Sequence, residues 1–323
     1  MSEKLRWAIL ATGAVANRFA TALKNIPEQA KLVAVGSRRW ETAKAFAEKY
    51  DIPKSHGSYQ ELADDPDVDI VYIGTPHPVH HRDTIMCLKA GKHVLCEKAF
   101  AMNAGEAQEM IDLAREKNLF LMEAMWTRFF PIHARIREIL AEGLLGELQG
   151  LVIHHNYMGL PELGEAYPPE LGMGTFMDQA PYGVGFAYSV LGPPTRTKII
   201  TTFGPRGINY QTSGVFEHEG GTLTTWMASR TTYDVKEAVI FGSEGKIDLH
   251  APWYKPTAMT LYVKGKEPER IEYPLDGFVG YEFEALEVMD CIRAGKTESE
   301  IMPLDETLAI MKTVDSMRAQ WEF

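Results

Sequence analysis

The stretch Leu5-Arg6-Trp7-Ala8-Ile9-Leu10-Ala11-Thr12-Gly13-Ala14-Val15-Ala16 joins an apolar run to a turn of small residues. A run without polar alternation is what a strand buried on both faces requires. The turn after it, A-x-G-x-x-A, is a variant of the dinucleotide fingerprint G-x-G-x-x-G/A. A side chain at its middle position would strike a pyrophosphate, and its last position tolerates alanine for close helix packing. Gly13 and Ala16 meet those two demands. Ala11 replaces the first glycine, a departure that weakens the motif without excluding it, since alanine still fits a tight turn if its φ is negative. Thr12, Gly13, Ala14 and Val15 are therefore candidate cofactor-binding residues.

Working outward, apolar runs recur at 5–11, 31–37, 68–75, 93–97 and 119–125. Between them lie segments of helical spacing such as 42–50 and 104–117, the second opened by Asn103 as N-cap. This alternation predicts a doubly wound parallel Rossmann sheet over residues 1–124. After Gly143 the pattern changes to period-two strands at 148–157, 198–203, 214–218, 222–229 and 238–241. Turn signals stand at Gly220-Gly221, Ser243-Glu244-Gly245 and Lys264-Gly265-Lys266. Residues 125–323 are expected to form an α+β domain for substrate binding and oligomerisation, built on a large, mostly antiparallel open sheet and closed by helices at 281–293 and 304–320. The expected fold class is thus α/β plus α+β. An open sheet with one helical layer leaves its other face uncovered, and that face is the candidate surface for a homodimer or higher homo-oligomer.

At 323 residues the chain exceeds the size of a single core, in keeping with two domains. Hydrophobic residues at 45% and charged residues at 24% exclude a mostly disordered chain. A net charge of -11 repels phosphate backbones and anionic lipid, so neither nucleic acid nor a membrane is expected as a partner. No apolar run approaches the roughly 20 residues that a bilayer span needs. The N-terminal basic residues, apolar stretch and Ala14-Val15-Ala16 imitate a secretory signal, but the stretch is short and reads better as a buried strand entering a turn. Cys87, Cys96 and Cys291 are widely spaced, without CxxC, which suits neither a disulfide framework nor a thiolate zinc site and points to a reducing, cytoplasmic compartment.

The second strand ends Gly36-Ser37-Arg38-Arg39, where the adenosine ribose of a bound dinucleotide belongs. A carboxylate there would bind the 2′-OH and repel a 2′-phosphate. A hydroxyl followed by two guanidiniums would bind that phosphate, so Ser37, Arg38 and Arg39 favour NADP over NAD. The third strand leads into Gly74-Thr75-Pro76-His77-Pro78-Val79-His80-His81 and the fourth into Glu97-Lys98-Ala99. Both lie at carboxyl ends of strands, where open α/β sheets bind ligands. Gly74, Thr75, Pro76, His77, Glu97 and Lys98 join the cofactor-binding candidates. His77, His80 and His81 have no nearby carboxylate or thiolate pattern to complete a metal site, and no metal is expected. His154 and His155 fall on opposite faces of a strand and form no ligand pair.

In order, A-T-G-A-V-A, G-T-P-H-x-x-H, A-G-K-H-V-L-C-E-K, E-A-M-W-T-R-F-F-P and D-Q-A-P-Y resemble the glucose–fructose oxidoreductase / inositol dehydrogenase / rhizopine catabolism (Gfo/Idh/MocA) family. The resemblance spans residues 5–320, and the dihydrodiol and xylose dehydrogenase branch looks closest, also in C-I-R-A-G-K-T-E-S-E-I-M-P-L-D. It implies that Glu97-Lys98 corresponds to the family's E-K-P signature, with the lysine at the nicotinamide and against a substrate oxygen. It implies that Asp178-Gln179-Ala180-Pro181-Tyr182 corresponds to D-x-G-x-Y/H, whose last residue is the proton donor or acceptor. It further implies His80 near the cofactor, and Trp126 and Arg128 near the nicotinamide end. Ala99 stands where the family has proline and Ala180 where it has glycine.

Hydride transfer between a nicotinamide and a carbon bearing oxygen leaves a proton to be moved. Tyr182 suits that task, since an adjacent Lys98 ammonium would stabilise its phenolate and polarise the reacting C–O bond. Asp178 is the third catalytic candidate, to orient Lys98, Tyr182 or a substrate hydroxyl. The resulting expectation is an NADP-dependent oxidoreductase acting on a hydroxyl or carbonyl of a small sugar, polyol or cyclic diol. Two alternatives remain. One is a non-catalytic dinucleotide-binding regulator, against which Lys98, Asp178 and Tyr182 stand. The other is an enzyme recycling tightly bound NAD(P) internally, and such relatives carry histidine where this chain has Tyr182.

Overall fold

A strand whose neighbours cover both faces buries consecutive side chains, and the N-terminal apolar runs do this. The computed structural model describes residues 4–159, 174–204 and 207–321. Its first part runs β1 (Leu5–Leu10), α1 (Ala14–Asn25), β2 (Ala30–Gly36), α2 (Trp40–Tyr50), β3 (Lys54–His56), α3 (Tyr59–Ala63), β4 (Ile70–Ile73), α4 (His80–Lys89), β5 (His93–Glu97), α5 (Ala104–Lys117) and β6 (Leu121–Ala124). The six strands are all parallel, in the order β3-β2-β1-β4-β5-β6. Connections leave β1 and β4 in opposite directions across the sheet, which opens a crevice at their carboxyl ends. Asn103 caps α5 as expected. Its side chain accepts from the Glu106 amide at 2.9 Å while the Glu106 carboxylate accepts from the Met102 amide at 3.0 Å. β3 carries no apolar run, because it is a three-residue, half-buried strand at the sheet edge.

The condition set for alanine at the first turn position is not met. Ala11 has φ 102, not a negative φ, and its amide donates to the Gly36 carbonyl at 2.9 Å. The turn out of β1 therefore demands the left-handed region that the missing glycine would occupy freely, at a cost of about 1 kcal/mol or more for a residue with a Cβ.

The remainder runs α6 (Pro131–Ala141), β7 (Leu148–Asn156), α7 (Thr175–Leu191), β8 (Pro194–Phe203), β9 (Asn209–His218), β10 (Leu223–Ser229), β11 (Ala238–Gly242), β12 (Gly245–Leu249), β13 (Ala258–Val263), β14 (Glu269–Glu272), α8 (Tyr281–Arg293) and α9 (Leu304–Arg318). Eight strands form one sheet in the order β14-β13-β12-β11-β7-β10-β9-β8. All neighbours are antiparallel except β7 and β10. Among the described residues the turns at 243–245 and 264–266 join β11 to β12 and β13 to β14.

By packing, the chain divides into Met1–Trp126 with Leu275–Leu308, and Thr127–Pro274 with Ala309–Phe323. α8, which the sequence reading assigns to the second domain, packs in the first. Asn25 on α1 donates to the Glu282 carboxylate at 2.7 Å, and Trp126 stacks on Tyr281 at 4.6 Å. An amphipathic helix shows in sequence that it has an apolar face, not which core receives it.

In the second unit α7 lies on one face of the large sheet, packed against β7, β8, β9 and β10. That face supplies the buried Phe216, Trp226, Ile153 and Ile240. Pairing register places Ile200, Val215, Leu223 and Phe241 together on the opposite face, where they are 78%, 40%, 48% and 38% exposed.

Candidate functional site

In the first unit the candidates collect at the carboxyl ends of β1, β2, β4 and β5. Gly13 is the N-cap of α1 with φ -78 and ψ -170, and a Cβ placed there would meet nothing of the protein within 4 Å. Its lack of a side chain thus answers no internal crowding and leaves space for a ligand at the positive end of α1, whose first turn holds no acidic residue. Asn17 bonds the Gly13 carbonyl at 2.8 Å, while Lys49 and Tyr50 hold Asn17.

At the end of β2, Ser37 is buried, with its hydroxyl 2.5 Å from that of Thr42, while Arg38 and Arg39 are exposed. Gly36 permits the close approach of α3, since a Cβ there would lie 2.9 Å from Leu62 Cδ1. Tyr59 opens α3 beside Arg38. Burial pushes its phenol up, Asp83 adds to this, and the positive charges of Arg38 and Arg82 oppose it. Tyr59 and Arg82 are contributors that sequence reasoning does not find, because no motif links them to Arg38.

Gly74 donates to the Leu10 carbonyl at 3.1 Å, and Thr75 is buried while Pro76 is exposed. His77 begins a short 3₁₀ turn. The fully buried His80 ring places Nε2 2.7 Å from the Thr75 carbonyl and Nδ1 2.8 Å from the Ala99 carbonyl. It thereby ties the loop after β4 to the loop after β5. Burial holds its imidazole below the ordinary range in spite of the two carbonyls.

At the end of β5, the 5% exposed Glu97 accepts from the Tyr72 hydroxyl and, at 3.2 Å, from the Lys98 amide. Tyr72 itself is clamped by Phe19, ring on ring at 3.8 Å. The half-buried Lys98 follows, with the Lys98–Ala99 peptide in the cis form where the family pattern has proline. Burial raises the Glu97 carboxyl, while the Tyr72 hydrogen bond and the positive charge of Lys98 oppose it.

In the second unit Asp178 and Tyr182 stand one helical turn apart on α7, and so on one face of it. Asp178 is held by Arg230 and Tyr157. Its Oδ2 accepts from Arg230 Nη2 at 2.5 Å and from the Tyr157 hydroxyl at 3.3 Å, with the Arg230 guanidinium also over the Tyr157 ring at 4.8 Å. Tyr182 lies in an aromatic cluster, 5.7 Å from His155 and 6.1 Å from Tyr254, whose rings stack on each other at 4.5 Å. His155 is buried where its neighbour His154 is half-buried, as alternation requires. Ala180 is buried within α7, and the helix continues through it and Pro181. Arg128 donates to the Gly185 carbonyl at 2.7 Å, bracing α7 from the segment before α6. Tyr157, His155, Arg230 and Tyr254 escape sequence reasoning, since their partners on α7 are brought in by strand pairing and not by spacing.

No group of three or more His, Cys, Asp or Glu that could hold a metal occurs among the described residues, nor is any described helix long and apolar enough to cross a membrane.

Comparison with known proteins matches residues 5–125 to the GFO/IDH/MocA oxidoreductase family, NAD-binding Rossmann fold, and residues 133–248 to the GFO/IDH/MocA C-terminal domain. The chain is 36% identical to trans-1,2-dihydrobenzene-1,2-diol dehydrogenase of Homo sapiens, over 97% of this chain and 96% of that protein. It is 33% identical to the protein of that name from Xenopus tropicalis, over 98% and 97%. Among solved structures it resembles KijD10, a 3-ketoreductase from Actinomadura kijaniata in complex with NADP and TDP-benzene, with a TM-score of 0.84, 22% identity and 98% of each chain covered. It also resembles levoglucosan dehydrogenase in complex with NADH and levoglucosan, with a TM-score of 0.88, 17% identity and 98% and 97% covered. At these identities the structures speak for the fold alone.

Proposed function

Since the chain belongs to the GFO/IDH/MocA family of oxidoreductases, with an NAD-binding Rossmann domain at residues 5–125, we propose that it is an NADP-dependent dehydrogenase or reductase. Its substrate is a small sugar, polyol or cyclic diol, reacting at a hydroxyl or carbonyl. The observation that carries this reading is the set of strand ends in the first unit: open space at Gly13, two exposed guanidiniums after β2, and Lys98 beside the buried Glu97. The full-length similarity to dihydrodiol dehydrogenases supports a CH–OH substrate.

The residues present fit a dinucleotide. Thr12, Gly13, Ala14 and Val15 would hold the pyrophosphate, and Ser37, Arg38 and Arg39 the 2′-phosphate. Gly74, Thr75, Pro76, His77 and His80 would line its path towards Glu97 and Lys98, with Trp126 and Arg128 assigned to the same end. When bound, the nicotinamide supplies the hydride acceptor or donor. Lys98 polarises the substrate C–O bond. Tyr182 moves the proton at that oxygen. Asp178, fixed by Arg230 and Tyr157, orients a substrate hydroxyl. Three buried free cysteines are in keeping with a reducing, cytoplasmic setting.

The test is a panel of aldoses, polyols and trans-1,2-dihydrobenzene-1,2-diol, followed at the nicotinamide absorbance with NADP+ and with NAD+, for the wild type and Arg38→Ala. Turnover with NADP+ preferred over NAD+ is expected. Arg38→Ala should weaken NADP+ by roughly 10- to 100-fold, the value of one charge-assisted phosphate contact, and leave NAD+ nearly unchanged. Equal losses for both cofactors would remove the phosphate role. Binding without any turnover would favour the regulator instead.

The unit also carries an uncovered apolar face, Ile200, Val215, Leu223 and Phe241, which we assign to a homodimer contact. Sedimentation should report twice the 36.2 kDa chain mass, and Ile200→Glu should lower it. A wild type that sediments as a monomer at assay concentrations would dismiss the assignment.

A further inference from the structure

The turn from β1 to α1 carries the residues assigned to the pyrophosphate, and it keeps Ala11 in a conformation that alanine resists. Ala11 has φ 102, in the left-handed region that glycine enters freely and a residue with a Cβ does not. Such a turn needs to be held on both sides. On the β1 side the Ala11 amide donates to the Gly36 carbonyl of β2 at 2.9 Å. On the α1 side the holding group is the side chain of Asn17. Its Nδ2 donates to the Gly13 carbonyl at 2.8 Å and approaches the Thr12 carbonyl at 3.5 Å.

Asn17 is in turn held from α2. Lys49 Nζ donates to its Oδ1 at 2.7 Å, and the Tyr50 hydroxyl lies 2.9 Å from the same Oδ1 and 3.1 Å from the Asn17 carbonyl. An ammonium can only donate, so the amide oxygen must face Lys49 and the amide nitrogen must face the turn. The half-buried amide thereby ties α2 to the turn. A carboxylate in its place would offer Lys49 an acceptor but the Gly13 carbonyl no donor.

We propose that Asn17 is a positioning residue for the dinucleotide: anchored by Lys49 and Tyr50, it clamps the turn in the shape that a glycine at position 11 would adopt unaided. The clamp stands on the hydrogen bonds alone, whereas its role toward the dinucleotide rests on the reading of residues 12–15 given above. Without Asn17 the turn relaxes towards a negative φ at Ala11, and binding a pyrophosphate must then restore the left-handed form. Glycine at position 11 removes that cost whether or not the clamp is present.

The test compares four chains: the wild type, Asn17→Ala, Ala11→Gly and the double variant. Dissociation constants for NADP+ and for NAD+ come from fluorescence titration, and melting temperatures are taken on the cofactor-free chains. Asn17→Ala should weaken both dinucleotides alike, on the order of 5- to 30-fold, the equilibrium cost of returning one residue with a Cβ to the left-handed region. Ala11→Gly should restore the affinity in the double variant and change little in the wild type. In melting the order reverses. The Tm change caused by Ala11→Gly should be more favourable in the wild type, where the clamp imposes the strain, than in Asn17→Ala, where the turn has relaxed.

Unchanged affinities in Asn17→Ala would overturn the positioning role. A loss that Ala11→Gly does not restore would do the same, as it reports general damage to α1, and so would a loss confined to NADP+. Equal Tm changes in the two backgrounds would overturn the clamp. Should the wild type bind neither dinucleotide, the positioning role falls with the function proposed above, and the melting comparison still decides the clamp.

Discussion

Lys98→Met is expected to lower kcat by about 10²- to 10³-fold, the scale set by removing one donor aimed at the charge that develops on a reacting oxygen. Methionine keeps the length and apolar stem of lysine and deletes only the ammonium. The backbone contact at this position survives, because it is the Lys98 amide and not its side chain that donates to Glu97. NADP+ affinity should therefore change little, as the pyrophosphate and ribose contacts are proposed at the ends of β1 and β2. The informative measurement is the split between kcat and the cofactor dissociation constant from a fluorescence titration. An unchanged kcat would remove Lys98 from the reaction. A parallel loss of NADP+ binding would make it a cofactor ligand instead.

Tyr182→Phe is expected to cost roughly 10²- to 10⁴-fold in kcat, the range for loss of a positioned acid or base. Phenylalanine preserves the ring that packs beside His155 and Tyr254, so the melting temperature should hardly move. What disappears is the hydroxyl proposed to carry the proton at the substrate oxygen. Wild-type kcat in a well-folded Tyr182→Phe would assign the proton to another group, and Asp178 would be the next to test. Asp178→Asn would then be read against the fact that Arg230 and Tyr157 already occupy its Oδ2.

Much of the first unit was legible because doubly buried strands carry continuous apolar runs, which leave few other readings for 5–11, 31–37 and 93–97. Helix starts were legible where capping is local, as at Asn103 and Glu106. Legibility failed at Ala11. Alanine fits such a turn with a negative φ, whereas here Ala11 has φ 102 with its amide bonded to the Gly36 carbonyl of the neighbouring strand. It failed again at β3, whose three residues offer no pattern. The candidate site divides in the same manner. Gly13, Ser37, Arg38, Glu97, Lys98, Asp178 and Tyr182 announce themselves through position relative to strand ends or motif, but the groups that hold them do not.

What the sequence by itself determined is the alternation of apolar runs and helical segments in the first unit, its dinucleotide-binding character and the residue types proposed for the site. These depend on short-range information: periodicity, turn residues, and side-chain chemistry at strand ends. Only the tertiary structure decided that α8 joins the first core, that Arg230 and Tyr157 claim Asp178, that His80 bridges the Thr75 and Ala99 carbonyls, and that His155 stacks on Tyr254. The physical reason is common to all four. Each is a contact between residues distant in sequence, and its energy exists only after burial has removed water and set the partners' orientation, which no local pattern encodes.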